Sequence, residues 1–458
     1  MSKQTPFFAD NSFLDKVAVA EQHKFWKWSE IHAASYSLAQ KIKAHTTIIN
    51  MCESYLGLLV TWMAGVRCGT LQVLPASKNT IDLNSDLINK EQSIVVVDSG
   101  LLLSDWEGWN TILVDSESLS VSLATGESRK LPDCWSTARI CLYTSGSTGM
   151  PQAVFKTMPE LLKGAQLLGA RISQEINFSL RQVSYIISSV APRHMYGVET
   201  VLMLSLVHGV AVVDACPLLP ADIEYAFRNR KGKSLWVSTP LHMRALARVG
   251  VKLVSCAGVV SSTMPLDHQV ARYIEVNCQA TVMEIYGSTE TGVVATRRTT
   301  ESNEWELLPG VKITPSETEV MVTASHNIGI NILNDMIQMK TPTRFQLLGR
   351  CSDLIKVGGK RASLAGLNQI LQSELDVEQS VLYMPMTNTE NQRPVLIYVG
   401  KRLYSQELKR RLIDKIPSVF VPRVLIQVEK IPVSASGKPL YLELEQLYKL
   451  WVSGDRGQ

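Results

Sequence analysis

The sequence predicts an α/β protein: a large N-terminal domain of mixed sheets, covering helices and a small β unit, then a small mobile α+β domain. Three observations carry this. Short apolar runs alternate with stretches of helical period as far as about residue 300. Beyond it the helical period gives way to short strand-like pieces with turns between them. A charged, turn-rich segment at Leu348–Ser352 then sets off a last stretch with helices and strands of its own. The expected domains are therefore 1–348 and 349–458, a division that suits a chain of 458 residues.

The elements follow in order. Trp28, Ile31, Ala34, Leu38 and Ile42 recur at helical spacing and predict an amphipathic helix over Trp26–Ile42. Residues 54–67 read as a more buried helix, followed by a strand at Leu71–Leu74. Ser93–Val97, Thr111–Val114, Ile140–Tyr143, Val183–Val190, Val210–Val213, Leu235–Val237 and Leu253–Ser255 continue the strands. Met158–Leu168, Ala221–Arg230 and Leu241–Val249 supply helices between them. Trp305–Leu308, Val311–Ile313, Glu319–Ala324 and Gly329–Leu333 suggest a small antiparallel unit. The C-terminal stretch reads as a helix (Leu364–Leu375), two strands (Gln379–Met384, Pro394–Val399) and a second helix (Ser405–Ile416).

Composition excludes several classes. Forty-six basic and 42 acidic side chains leave a net charge of only +4, which does not argue for nucleic acid. The N-terminus has no apolar signal core, and Val201–Val213, the longest apolar region, is too short to span a bilayer. No membrane span is expected. The eight cysteines show no Cys-x-x-Cys pair and no metal-ligand spacing, so reduced thiols in a cytoplasmic protein are the expectation.

The chemistry is concentrated in five stretches. Leu142-Tyr-Thr-Ser-Gly-Ser-Thr-Gly-Met-Pro151 follows an apolar run and is rich in hydroxyls and glycine. Such a loop can wrap a polyphosphate with backbone N–H groups at a strand end, although it lacks the Walker A pattern. Glu284-Ile-Tyr-Gly-Ser-Thr-Glu-Thr-Gly292 places Glu290 in a glycine-bounded turn, where one carboxylate can serve Mg²⁺ beside phosphates. Asp335 follows a strand and precedes Arg350 by fifteen residues; the pair suits a ribose and a phosphate or ribose clamp. Gly349–Leu364 gathers four cations around Gly358-Gly359. Pro432-Val-Ser-Ala-Ser-Gly-Lys-Pro439 carries Lys438 on a flexible loop, able to bring a point charge to a reacting phosphate.

In this order and spacing the motifs resemble the adenylate-forming superfamily, the AMP-binding enzymes that include acyl- and aryl-CoA synthetases and acyl-carrier-protein ligases. The resemblance runs from about residue 12 to about residue 445. It implies that a carboxylic acid attacks the α-phosphate of ATP, releasing pyrophosphate, and that a thiol of CoA or a phosphopantetheinyl carrier protein then takes the acyl group. Position by position, Thr144, Ser145, Gly146, Ser147, Thr148 and Gly149 would hold the β- and γ-phosphates. Glu290 would bind Mg²⁺ and Thr289 would contact the α-phosphate. Tyr286, Gly287 and the segment Ala257-Gly258-Val259 would flank adenine, and Asp335 would bind ribose with Arg350 nearby. Lys438 would bridge the carboxylate and the phosphates. Ser352 or Asp353 would be the hinge, Gly358, Gly359 and Arg361 would line the pantetheine tunnel, and His194 would gate the acyl pocket.

The sequence departs from the family pattern at three places. Gln152 replaces the usual lysine after the phosphate loop, with Lys156 one helical turn later as a substitute cation. Leu333-Asn334-Asp335 replaces Thr-Gly-Asp, and Asn368 stands where a Glu is common. The gate segment Pro192-Arg-His-Met-Tyr-Gly-Val198 holds no acid to pair an amino group, which favours an aryl or fatty-type acid over an amino acid. The resemblance makes an acyl carrier protein a candidate partner, and the basic run Lys401, Arg402, Lys409, Arg410, Arg411 can face one. The alternative is an idle adenylate-binding module.

Overall fold

The computed structural model describes residues 13–21, 24–42, 45–75, 88–99, 104–115, 119, 133–145, 151–315, 320–333, 335–350, 354–358, 360–375, 377–385, 393–412, 415–432 and 439–454. The chain folds into two compact units, Met1–Lys312 with Val322–Asn331, and Ile313–Met321 with Ile332–Gln458.

The first unit contains two sheets. In one, the parallel strands Thr281–Ser288, Cys256–Ser261, Ser234–Ser238, Tyr185–Ser188, Ala211–Val213 and Val17–Ala20 lie side by side. Antiparallel strands flank them: Gly292–Arg297 and then Trp305–Leu307 beyond Thr281–Ser288, and Phe25–Lys27 beyond Val17–Ala20. In the other, Thr111–Leu113, Ser93–Val97, Thr47–Asn50, Leu71–Leu74 and Arg139–Ser145 run parallel, and Pro151–Thr157 returns antiparallel. A parallel sheet needs helices over its faces. Pro220–Arg228, Pro240–Val249 and His268–Cys278 provide them for the first sheet, burying Ile223, Phe227, Met243, Leu246 and Ile274 against Trp236, Val259 and Val282.

Local signals set the helix ends. Met158–Glu175 starts at a capping box, in which Thr157 and Glu160 satisfy each other's backbone N–H, with Pro159 in the first turn. Tyr55–Cys68 is almost wholly buried, and its first N–H groups have unusual partners: Asp214 accepts from Tyr55 N at 2.7 Å and from Leu56 N at 2.9 Å. That carboxylate supplies the charge a buried helix N-terminus favours.

The second unit holds the hairpin Asp335–Thr341/Arg344–Arg350, a short hairpin Leu354–Val357/Lys360–Ser363, and a sheet of Gln379–Tyr383, Val395–Val399 and Leu425–Gln427. Helices Leu364–Glu374 and Ser405–Leu412 bury Leu367, Leu371, Leu408 and Leu412 with Leu382, Leu396 and Phe420. Tyr441–Ser453 packs Leu444 on the other face with Val381 and Ile397.

The expected α/β architecture is present, with two corrections. Trp305–Leu307 extends the large sheet rather than a small β unit, because it pairs with Gly292–Arg297. Asp335 follows the strand Asn331–Leu333, as expected, and itself opens a further strand, Asp335–Thr341. Lys156 lies on a strand, since Pro151–Thr157 pairs along its whole length with Arg139–Ser145, so no helical turn brings it near Gln152. No helix among the described residues is long and apolar enough to cross a membrane.

Candidate active site

The phosphate loop's two ends are fixed by register. Thr144 pairs with Gln152 and Ser145 with Pro151, so the connection leaves and re-enters the sheet at one edge. Gly146, Ser147, Thr148 and Gly149 lie outside the described residues. Gln152 lines an open cavity of about 480 Å³ together with Lys156, Glu160, Glu290 and Asn327. The carboxylate expected to serve the metal and the start of the returning strand thus share one cavity.

Thr289 and Glu290 occupy the tight connection between Thr281–Ser288 and Gly292–Arg297. Its shape is over-determined. Ser288 N donates to Thr291 Oγ1 at 2.9 Å, and Thr291 N donates back to Ser288 Oγ at 3.2 Å. The ladder shifts register at Tyr286/Gly287, and a Cβ on Gly287 would stand 2.0 Å from the Gly292 carbonyl oxygen. Gly292 itself takes φ +65°, the left-handed region that glycine occupies without strain.

A buried polar network holds the turn from within. Lys156, 3% exposed, donates from Nζ to the main-chain carbonyl of Glu290 and, at 2.9 Å, to Asn327 Oδ1. Asn327 Nδ2 donates to the same Glu290 carbonyl at 2.9 Å and to Thr291 O at 3.3 Å. Glu199 Oε1 accepts from Val293 N at 3.0 Å, and Glu160 Oε1 accepts from Ile328 N at 2.8 Å. Glu199 sits on the π-helical stretch Val198–Met203, a distortion often found at functional sites. Burial pushes its carboxyl up to about 7, opposed by the Val293 N–H and by Lys156. Burial lowers the Lys156 ammonium, and the carboxylates of Glu160, Glu199 and Glu290 pull it back. Its own hydrogen bonds thus hold Lys156 at the turn. It faces the turn, about 13 Å along the strand from Gln152. None of Glu199, Asn327 or this role of Lys156 was visible in the sequence, where the four positions are far apart.

Tyr286 is half-buried, its ring 5.4 Å from that of Trp305 at an interplanar angle of 49°. Ala257 and Gly258 are a correction. They lie at the start of Cys256–Ser261, and a Cβ on Gly258 would meet Ile176 Cγ2 at 2.5 Å. Ligands bind at the carboxyl ends of such strands, which here means Ser261, Ser262 and Thr263. Thr263 takes φ +81° and Ser262 Oγ donates to Ile285 O at 3.1 Å. A β-branched residue at positive φ is a genuine outlier and marks a constrained loop.

His194 caps the short helix Met195–Gly197 and is exposed, so it is not a packed core histidine. Two residues on, the Tyr196 hydroxyl lies 2.8 Å from both Ser238 O and Val260 O, pinning this segment over the ends of two strands. Sequence reasoning passed over that tyrosine.

In the second unit, Asp335 and Arg350 are register partners in one hairpin. Arg361 pairs with Lys356 across the turn at Gly358, which takes φ +55°. Asn368 has a structural role: Nδ2 donates to Leu364 O at 3.0 Å and Leu382 O at 3.1 Å, while Oδ1 accepts from Leu382 N at 2.6 Å. A carboxylate could accept but not donate there. Lys438, Ser352, Asp353 and Gly359 lie outside the described residues.

With this geometry in hand, the comparisons decide the family. The AMP-binding enzyme family matches residues 11–327. The chain belongs to this family. This AMP-binding enzyme is 26% identical over 252 residues to the 4-coumarate–CoA ligase of Rhodobacter capsulatus, an alignment covering 54% of this chain and 60% of that one. It is 31% identical over 102 residues to enterobactin synthase component F of Escherichia coli, covering 20% of this chain and 8% of that protein. ATP-bound MatB from Rhodopseudomonas palustris shares the fold, with a TM-score of 0.77 at 17% identity over 97% of this chain and 99% of that one. The expectation of an adenylate-forming enzyme is met.

Proposed function

We propose that this AMP-binding enzyme activates a carboxylic acid of aryl or fatty type with ATP, releases pyrophosphate, and passes the acyl group to the thiol of CoA or of an acyl carrier protein. The carrying observation is the cavity that brings Glu290 together with Gln152, the register partner of Thr144. It sets the Glu290 carboxylate beside the ends of a hydroxyl-rich loop, a donor set that fits Mg²⁺ held jointly by protein and phosphates. Bound there, Mg²⁺ would neutralise phosphate charge during the transfer.

The chain's own residues do the rest. Thr144, Ser145 and the glycine-rich connection to Pro151 hold the β- and γ-phosphates, and Thr289 donates to the α-phosphate. Tyr286 flanks adenine, Asp335 accepts the ribose hydroxyls and Arg350 stands beside it. Lys438 places its charge between the attacking carboxylate and the α-phosphate; such positioned charge is what phosphoryl chemistry requires. Residues 349–458 then rotate about Ser352 or Asp353, so that Gly358, Gly359 and Arg361 line the path of the thiol. His194 gates the acyl pocket.

The matches to a CoA ligase and to a synthase component leave both thiols in play. Part of the basic run is already engaged within its own unit: Arg411 pairs with Glu407 at 2.6 Å and donates to Glu374 O at 3.3 Å. Offering CoA and a loaded carrier protein to the preformed adenylate separates the two by rate. Pyrophosphate exchange with a panel of aryl and fatty acids tests the first step. Exchange with at least one acid, lost on Lys438→Ala with ATP binding retained, is the expected result. Tight ATP binding without exchange on any acid would make the protein an idle adenylate-binding module.

A further inference from the structure

Lys156 is almost fully buried, and a buried cation needs a compensating reason. Its partners supply one. Two of its donors are committed, one to the Glu290 carbonyl and one to Asn327 Oδ1, and Asn327 closes the circuit on the carbonyls of Glu290 and Thr291. These two side chains thus grip consecutive peptide units of the connection that carries Glu290. Rotation of the first, between Glu290 and Thr291, would swing the Cα–Cβ bond of Glu290 and carry its carboxylate away from the cavity rim, and the hold on Thr291 O steadies the next peptide.

We propose that Lys156, acting with Asn327, is a positioning residue that fixes the Glu290 carboxylate and thereby sets the metal affinity of the nucleotide site. The inference rests on the proposed function, in which Glu290 serves Mg²⁺. Lys156 touches no nucleotide in this account. Glu199, on the π-helical stretch, supports the strand that leaves the turn by accepting from Val293 N. The titratable and charged groups facing Lys156 are Glu160, Glu199, Glu290 and His326, each from a different element of the first unit.

The test uses the full chain, Mn²⁺ as the probe metal and a non-hydrolysable ATP analogue, with bound Mn²⁺ followed by electron paramagnetic resonance. Lys156→Met should weaken binding of the Mn²⁺–nucleotide complex about tenfold while changing metal-free nucleotide binding by less than about twofold, the loss expected for a charge-assisted hydrogen bond acting through one carboxylate. In pyrophosphate exchange, half-saturating Mg²⁺ should rise by a similar factor, with the maximal rate recovering to within about threefold at high Mg²⁺. Asn327→Leu should shift metal affinity in the same direction by about threefold, and it carries the test should Lys156→Met not fold. Unchanged metal affinity in a folded variant would overturn the inference. So would an equal loss with and without metal, which would make Lys156 a direct phosphate cation. Failure of the wild-type protein to bind the Mn²⁺–nucleotide complex would overturn the proposed function, and this inference with it.

Discussion

The Glu290 turn and the Asp335–Arg350 hairpin place their functional residues in opposite ways. The turn is held by side chains from Pro151–Thr157, from the π-helical stretch and from the segment around Asn327, which bond Glu290 O, Thr291 O and Val293 N. In the hairpin, Asp335 and Arg350 are set side by side by strand register, and the strand of Asp335 is half-buried to exposed along its length. A buried polar network fixes a group to one geometry but costs stability wherever a charge is desolvated. Register fixes spacing at little cost and leaves side chains room to adapt. The division suits the proposed roles, a metal ligand that must not move and a ribose clamp that can close on its ligand.

Four substitutions sharpen the contrast. Glu290→Gln should cut pyrophosphate exchange by roughly a hundredfold to a thousandfold and raise the Mg²⁺ requirement, because the carboxylate that would hold Mg²⁺ beside the reacting phosphates is lost. A variant that kept its rate would remove the turn's special status. Glu199→Gln tests what the locked turn costs. With its carboxyl raised by burial to about 7 from the ordinary 4.5, folded Glu199 keeps a proton that the unfolded chain releases. Its contribution to stability is therefore complete below about pH 4.5, declines as pH rises towards about 7, and is flat above. Unfolding free energies of wild type and variant from urea titrations should diverge across that window by about 3 kcal/mol, the variant being relatively more stable at high pH. Parallel pH profiles would show that Glu199 stays ionised in the folded state.

On the hairpin side, Asp335→Asn should raise KM for ATP about tenfold with kcat within a fewfold, since two ribose hydrogen bonds weaken without disturbing the reacting phosphate. An equal fall in kcat would mean that the hairpin positions the reaction as rigidly as the turn does. The smallest effect is expected from Gln152→Lys at the cavity rim. Its exposure limits a new cation to about a fewfold gain in ATP affinity, read as a lower KM that vanishes at high salt.

Much of the fold was legible because it depends on local period. The helix predicted over Trp26–Ile42 forms as Trp28–Ile42, and that predicted over Leu364–Leu375 forms as Leu364–Glu374. Pro151–Thr157 was misjudged because its strand character comes from pairing with Arg139–Ser145, a tertiary cause that residue spacing does not record. The site divides along the same line. Glu290, Asp335 and Arg350 were singled out by motif, whereas the clamp on Glu290 joins residues 134 and 171 positions apart for the two bonds of Lys156 and 94 apart for Glu199 and Val293. Ala257 and Gly258 were misplaced for want of a strand end, which the pairing supplies. Asn368, a departure from the family by sequence, is explained by a backbone groove that needs a donor and an acceptor together.

The central claim is that a carboxylate oxygen attacks the α-phosphorus of ATP. A carboxylic acid that supports exchange, labelled in its carboxyl group with heavy oxygen, tests this directly when turned over with ATP and the accepting thiol. The account predicts that one labelled oxygen becomes bonded to the α-phosphorus and leaves in AMP when the thiol takes the acyl group, with none in pyrophosphate. Label in inorganic phosphate, with ADP as the nucleotide product, would contradict it.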